Sequence, residues 1–144
     1  MAHRYFLTQI NDNIATVEGG EAVHLCRVMR LKAGDEVILC DNEGFDYTAI
    51  AKDVNEKVIT FEVTGKTKNL AEPNKNLTVY MALPKSDKLE FIVQKSCELG
   101  AKKLVPFISE YCVAQKSKKE DNKKARLAKI SAEAAKQCGR SVPM

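Results

Sequence analysis

The chain has 144 residues, 44% of them hydrophobic, and a net charge of +4, which is enough apolar material for one ordinary domain or two small ones. No run of 18 apolar residues is present to span a bilayer, and the N-terminus Met1-Ala2-His3-Arg4-Tyr5-Phe6 lacks the charged-then-apolar shape of a signal peptide, so a cytoplasmic protein without a membrane partner is expected. The five cysteines (Cys26, Cys40, Cys97, Cys112, Cys138) form no C-x-x-C pair and are joined by only two histidines; this argues against a metal site and a disulfide framework, and all five read as structural thiols.

In chain order, apolar runs rich in β-branched and aromatic residues at Tyr5 to Leu7, Ile14 to Val17, Glu36 to Cys40, Phe45 to Ala51 and Val58 to Val63 predict short strands. Turn residues lie between the later ones: Ala33-Gly34-Asp35, Asp41-Asn42-Glu43-Gly44 and Asn55-Glu56-Lys57. Connections this short imply antiparallel pairing. One helix interrupts the series from about Glu21 to Arg30, entered through Gly19-Gly20. Val23 and Cys26, with Val28 and Met29, should face the strands. His24, Arg27 and either Arg30 or Leu31 should project along a neighbouring edge. The first part therefore reads as a small β-barrel with one helix.

Between Thr64 and Asn76 the sequence turns polar, which places a domain boundary there and gives domains 1–72 and 73–144. A strand at 77–83, a helix at 87–99, a strand at 103–108 and a helix at about 121–138 then follow in β-α-β-α order, implying parallel strands with a crossover helix. The first helix has Ser86 as its N-cap, Asp87 in its first turn and Gly100 as its stop, with Leu89, Ile92, Val93, Ser96 and Leu99 against the sheet. The second opens in the lysine-rich stretch 116–124, which reads as a solvated loop, and carries Leu127, Ile130, Ser131, Ala134 and Cys138 as its core stripe before Gly139. Two parallel strands and two helices cannot cover both faces of a sheet. The second domain is thus expected to be part of a larger polypeptide or to borrow a partner.

Charge divides at the same boundary. Residues 1–72 hold 8 basic and 12 acidic side chains, net −4, whereas 73–144 hold 15 and 7, net +8. Such asymmetry suits a polyanionic partner for the second half. No G-x-G-x-x-G, G-x-x-x-x-G-K-[ST], G-x-S-x-G or H-E-x-x-H pattern occurs, so no familiar nucleotide or hydrolase chemistry is declared. What stands out is a set of basic residues among apolar ones: His24, Arg27 and Arg30 on the short helix, Lys85 and Lys88 at a strand-to-helix junction, and Arg140 at a helix end. An arginine fork can grip a phosphate with two hydrogen bonds. A lone histidine such as His24 is also compatible with a core position.

Three segments carry a resemblance along the whole chain: His24-Leu-Cys-Arg27-Val-Met-Arg30-Leu-Lys-Ala-Gly34-Asp35; Leu83-Pro-Lys85-Ser-Asp87-Lys88-Leu-Glu90-Phe-Ile-Val-Gln-Lys95-Ser-Cys-Glu98-Leu-Gly100; and Glu133-Ala-Ala-Lys-Gln137-Cys-Gly-Arg140-Ser-Val-Pro143. Together they strongly resemble the ribosomal RNA small subunit methyltransferase E family. The resemblance implies an α+β protein: an N-terminal PUA-like RNA-binding β-barrel, then the first β-α-β-α part of an α/β SPOUT domain, whose C-terminal trefoil knot holds S-adenosylmethionine. It further implies methylation of N3 of a uridine in 16S rRNA of the small subunit, and a homodimer. The family's Gly-Pro-Glu-Gly-Gly and Leu-Gly-x-x-Ile-Leu-Arg segments, which line the donor pocket, are not in this sequence.

On that basis Arg140 and Lys85 are the catalytic candidates, favouring the anionic form of the base. Arg4, His24, Arg27, Arg30, Lys88 and Lys95 are the RNA-contact candidates. No residue is assigned to the methyl donor and none to a metal. Two other readings stay open: a non-enzymatic PUA-like RNA-binding module, and a SPOUT methyltransferase acting on another RNA.

Overall fold

The computed structural model describes residues 3–110, 112 and 120–144. They group into two compact units, Met1–Leu70 and Ala71–Met144. In the first unit the alternating pattern becomes β1 (Arg4–Phe6), β2 (Gln9–Asn11), β3 (Ile14–Glu18), helix α1 (Gly19–Arg27), β4 (Glu36–Cys40), β5 (Phe45–Val54) and β6 (Val58–Lys68). These strands form one sheet in the order β1-β4-β5-β6-β3-β2. Only β1 and β4 run parallel in it.

The two edge strands follow one another in the sequence. Leu7 N–H donates to Cys40 O at 3.0 Å and Thr8 N–H to Thr16 O at 2.7 Å, so the short link between β1 and β2 curls the sheet back on itself and covers its edges. Register shifts at Thr48/Ala49 and Ala51/Asp53 in the long β5–β6 hairpin supply bends of the kind that curvature requires. Ala15, Val17, Val37, Leu39, Tyr47, Ala49, Ala51, Ile59 and Phe61 point inward and are buried. Full burial of a large apolar side chain such as Phe61 or Leu39 is favourable by roughly 1.5–3 kcal/mol.

Three differences from the sequence expectation have physical causes. Strand β2 has a single apolar residue, Ile10, and forms because backbone pairing with β3 does not depend on side chains. Residues Gly65 to Lys68 continue β6 because they pair with Thr48 to Phe45. Helix α1 spans Gly19–Arg27 rather than Glu21 to Arg30 and buries Ala22 and Leu25. Cys26 and Met29 pack partly against the core, Val23 is half-buried, and Val28, past the last helical turn, is 65% exposed.

The second unit contains β7 (Thr78–Ala82), α2 (Ser86–Glu98), β8 (Lys103–Phe107) and α3 (Glu120–Cys138), with β7 and β8 parallel. Lys85, not Ser86, occupies the position before α2. The helix buries Leu89, Val93 and Cys97 at i, i+4 spacing, while Ile92 and Ser96 are half-buried. Leu99, expected to be inward, is 84% exposed because the helix has ended and the chain is already turning. Helix α3 buries Ser131, Ala134 and Ala135, with Leu127, Ile130 and Cys138 half-buried. Residues 116–119 of the lysine-rich stretch lie outside the described residues.

Both helices end in the same way. Gly100 (φ 92°) and Gly139 (φ 82°) take the left-handed conformation, and the following N–H groups reach back, Ala101 to Ser96 O and Arg140 to Ala135 O, each at 2.9 Å. These are Schellman motifs. At Gly100 a Cβ would meet Pro73 Cγ at 2.6 Å, so glycine is required twice over. No residue of β7 or β8 is fully buried, and Tyr80 on β7 and Phe107 on β8 are exposed. No helix among the described residues is long and apolar enough to cross a membrane.

Candidate functional site

The end of α1 brings three of the expected RNA-contact residues together. His24, Arg27 and Arg30 are all exposed there. Arg27, the last helical residue, reaches the β5–β6 turn: its Nε donates to Glu56 Oε1 at 2.9 Å and its Nη2 to Glu56 Oε2 at 2.6 Å. The hydrogen bonds of this pair raise the arginine's pKa and hold the Glu56 carboxyl below the ordinary glutamate value. Arg30 has φ 53°, a left-handed conformation that a side chain with a Cβ rarely adopts, and the next residue, Leu31, bonds through its N–H to Leu25 O at 3.1 Å.

Arg4 lies elsewhere. It sits on β1 and pairs with Asp46 of β5, with 17% of its side chain exposed. Asp46 also accepts from Asn69 Nδ2 at 2.9 Å and from the Cys40 thiol at 3.6 Å. Burial opposes the Arg4 charge, but Asp46 and Cys40 outweigh it and raise its pKa. Burial is also the main reason that the Cys40 thiol is pushed up to about 12. Arg4 thus belongs to the lining between β1 and β5 and not to the cluster on α1.

In the second unit, Lys85 and Lys88 are exposed. Lys85 follows the C-terminal end of β7 and is the N-cap residue of α2, at the positive end of the helix dipole. Lys95 is engaged: its Nζ donates to Glu98 at 2.7 Å and lies 5.9 Å from the Phe91 ring centre. Past β8, Ser109 N–H donates to Cys112 Sγ and its hydroxyl also lies 3.3 Å from that sulfur. These contacts lower the pKa of the Cys112 thiol.

Arg140 is 2% exposed. Its Nε and Nη2 donate to Glu72 Oε2 at 3.3 and 3.1 Å, and its Nη1 donates to Cys97 O and Ala101 O, both at 2.9 Å. The other Glu72 oxygen accepts the N–H groups of Ser141 and Val142 at 2.9 Å. One side chain therefore clasps the end of α2 to the end of α3. Cys97 and Ala101 precede β8, at the N-terminal edge of the sheet, whereas Lys85 stands at its C-terminal edge, a full 13-residue helix away, or about 20 Å. The two catalytic candidates, Arg140 and Lys85, thus lie at opposite ends of α2, and Arg140's donors are committed within the chain.

Glu56 and Glu72, the partners that define these two arginine environments, are the residues that the sequence reading missed. They lie 29 and 68 positions from their arginines, and no local spacing signals such pairs. Among the described residues there is no group of His, Cys, Asp and Glu that could hold a metal. A groove of about 440 Å³ between α2 and α3 is lined by Glu90, Gln94, Arg126, Lys129 and Glu133 among others. No residue is assigned to a methyl donor.

Known families match both units in the order found here. The model described as an RNA methyltransferase domain matches residues 71–144, and that described as an RNA methyltransferase PUA domain matches residues 17–64. The chain belongs to the RNA methyltransferase family. Its sequence is 36% identical over 147 residues to the ribosomal RNA small subunit methyltransferase E of Bacillus subtilis (strain 168), a match that covers 96% of this chain and 56% of the relative. A predicted RNA methyltransferase from Thermotoga maritima superposes with a TM-score of 0.77 at 29% identity, over 98% of this chain and 63% of that one. The ribosomal RNA small subunit methyltransferase E of Neisseria gonorrhoeae, whose structure is described as bound to S-adenosyl methionine, gives a TM-score of 0.87 at 24% identity, over 99% of this chain and 60% of that one; this likeness concerns the fold. The family expected from the three motifs is the one found, and the fold has the expected order, a PUA domain followed by the β-α-β-α part of an RNA methyltransferase domain. The chain spans about half the length of the curated relatives it matches.

Proposed function

We propose that this chain serves the S-adenosylmethionine-dependent methylation of N3 of a uridine in 16S rRNA, the first unit gripping the RNA and the second contributing the β7-α2-β8-α3 part of the methyl-transfer domain. The observation that supports this best is the RNA methyltransferase match over 71–144 preceded by the PUA match over 17–64. His24, Arg27 and Arg30 supply phosphate contacts at the end of α1. Lys88 extends that role on α2, whereas Arg4 and Lys95 serve mainly through the carboxylates that hold them. Lys85 favours an anionic uracil N3 through its ammonium and the helix terminus behind it. Arg140 acts as a positioning residue that fixes the ends of α2 and α3. A homodimer working on the small subunit is part of the same reading.

The test is nucleoside mass spectrometry of 16S rRNA from cells with and without the gene. Loss of 3-methyluridine on deletion, and its return when the gene is restored, would support the reading. An unchanged 16S rRNA with loss of the nucleoside from another RNA would move the substrate. No change in any RNA would leave the second reading, a binding module without chemistry.

A further inference from the structure

The surface pair Arg27–Glu56 has the two-pronged geometry that a guanidinium also adopts on a phosphate. Both side chains are open to water, Arg27 at 67% and Glu56 at 49% exposure, so a phosphate oxygen can reach the fork. The Glu56 carboxylate is not needed to shape its own turn, because Asn55 Oδ1 closes that turn by accepting from Lys57 N–H and Val58 N–H at 3.0 and 2.9 Å. His24 and Arg30, exposed one turn before and three residues after Arg27, have no carboxylate partner among the described residues. A lone carboxylate therefore stands on Arg27, the central member of the three.

We propose that the Arg27 fork, flanked by His24 and Arg30, is a binding site for one RNA backbone phosphate, and that the Glu56 carboxylate is its resident competitor, displaced when RNA binds. This rests on the reading that the first unit contacts RNA. An exposed ion pair is weak and exchangeable, so the competitor lowers affinity without closing the site. The RNA is released more readily than from an unopposed arginine.

The experiment measures binding of a 16S rRNA transcript to the full chain across a salt series, for the unmodified protein, Arg27→Gln, Glu56→Gln and the double variant. Glu56→Gln is expected to tighten binding about two- to fivefold, the scale of one exposed pair. Arg27→Gln should weaken binding and reduce the salt slope by about one. In the Arg27→Gln background, Glu56→Gln should add nothing. An equal gain in both backgrounds would reduce Glu56 to a general repulsive charge and overturn the competitor. Weaker binding by Glu56→Gln alone would make it a support for Arg27 and overturn the competitor as well. Unchanged affinity and salt slope in Arg27→Gln would instead remove the RNA contact itself. Equal melting temperatures across the four proteins, the expected result, keep a folding defect from imitating any of these outcomes.

Discussion

Each unit holds an arginine against a glutamate distant in sequence, and the two pairs behave as opposites. Arg27 and Glu56 meet in water, with both functional groups accessible. Arg140 and Glu72 meet under cover, at 2% and 13% side-chain exposure, with two carbonyls and two backbone N–H groups completing the network. Exposure decides which partner can be exchanged: water and salt screen the first pair, while loss of either member of the second leaves a charge stranded. An arginine in the right motif is therefore exchangeable in one unit and a clasp in the other.

The largest effect should come from breaking the clasp. Arg140→Met leaves Glu72 buried and unpaired, and should destabilise the second unit by about 3–5 kcal/mol, read from urea denaturation and from faster amide exchange at residues 97–101 and 141–142. Arg27→Gln should leave the unfolding midpoint where it is. If Arg140→Met were as mild as Arg27→Gln, the two pairs would not differ in kind. Gly100→Ala comes next: it forces a left-handed φ on a residue with a Cβ and drives that atom toward Pro73, and should cost about 2 kcal/mol in the same denaturation experiment.

Much of this was legible beforehand, and what was not has a common cause. The inward positions Ala15, Val17, Ile59 and Phe61 follow from alternation alone, and Gly100 and Gly139 announced their helix ends. The edge carrying Arg27 followed from helical spacing, whereas His24 was also compatible with a core position and is exposed. Strand β2 and the polar end of β6 escaped because their stability lies in backbone pairing with strands already formed. Glu56 and Glu72 escaped because chain folding, not local pattern, brings them to their arginines. Arg140 reads from sequence only as a basic residue at a helix end, and its burial depends on Glu72, 68 positions earlier.

A smaller contrast lies in the thiols. Cys40, buried in the first unit with a pKa near 12, stays protonated throughout the physiological range. Cys112, half-buried in the second unit, has its pKa lowered by Ser109 and so carries more thiolate at any pH below that of a free cysteine. Brief iodoacetamide treatment of the native protein at pH 8 should label Cys112 well before Cys40, as peptide mass mapping would show. The opposite order would mean that the first unit opens more readily than the second.

The smallest effect concerns Arg30, where function and stability should pull apart. A non-glycine residue at φ 53° carries a strain of about 1 kcal/mol that glycine does not. Arg30→Gly should therefore raise the unfolding midpoint slightly while weakening RNA binding and lowering its salt slope. Such a trade would explain an arginine in a conformation suited to glycine: the side chain is kept for what it touches. A variant that gained stability and bound RNA as before would show that the strain at Arg30 serves no contact, and would leave only His24 and Arg27 at the end of α1.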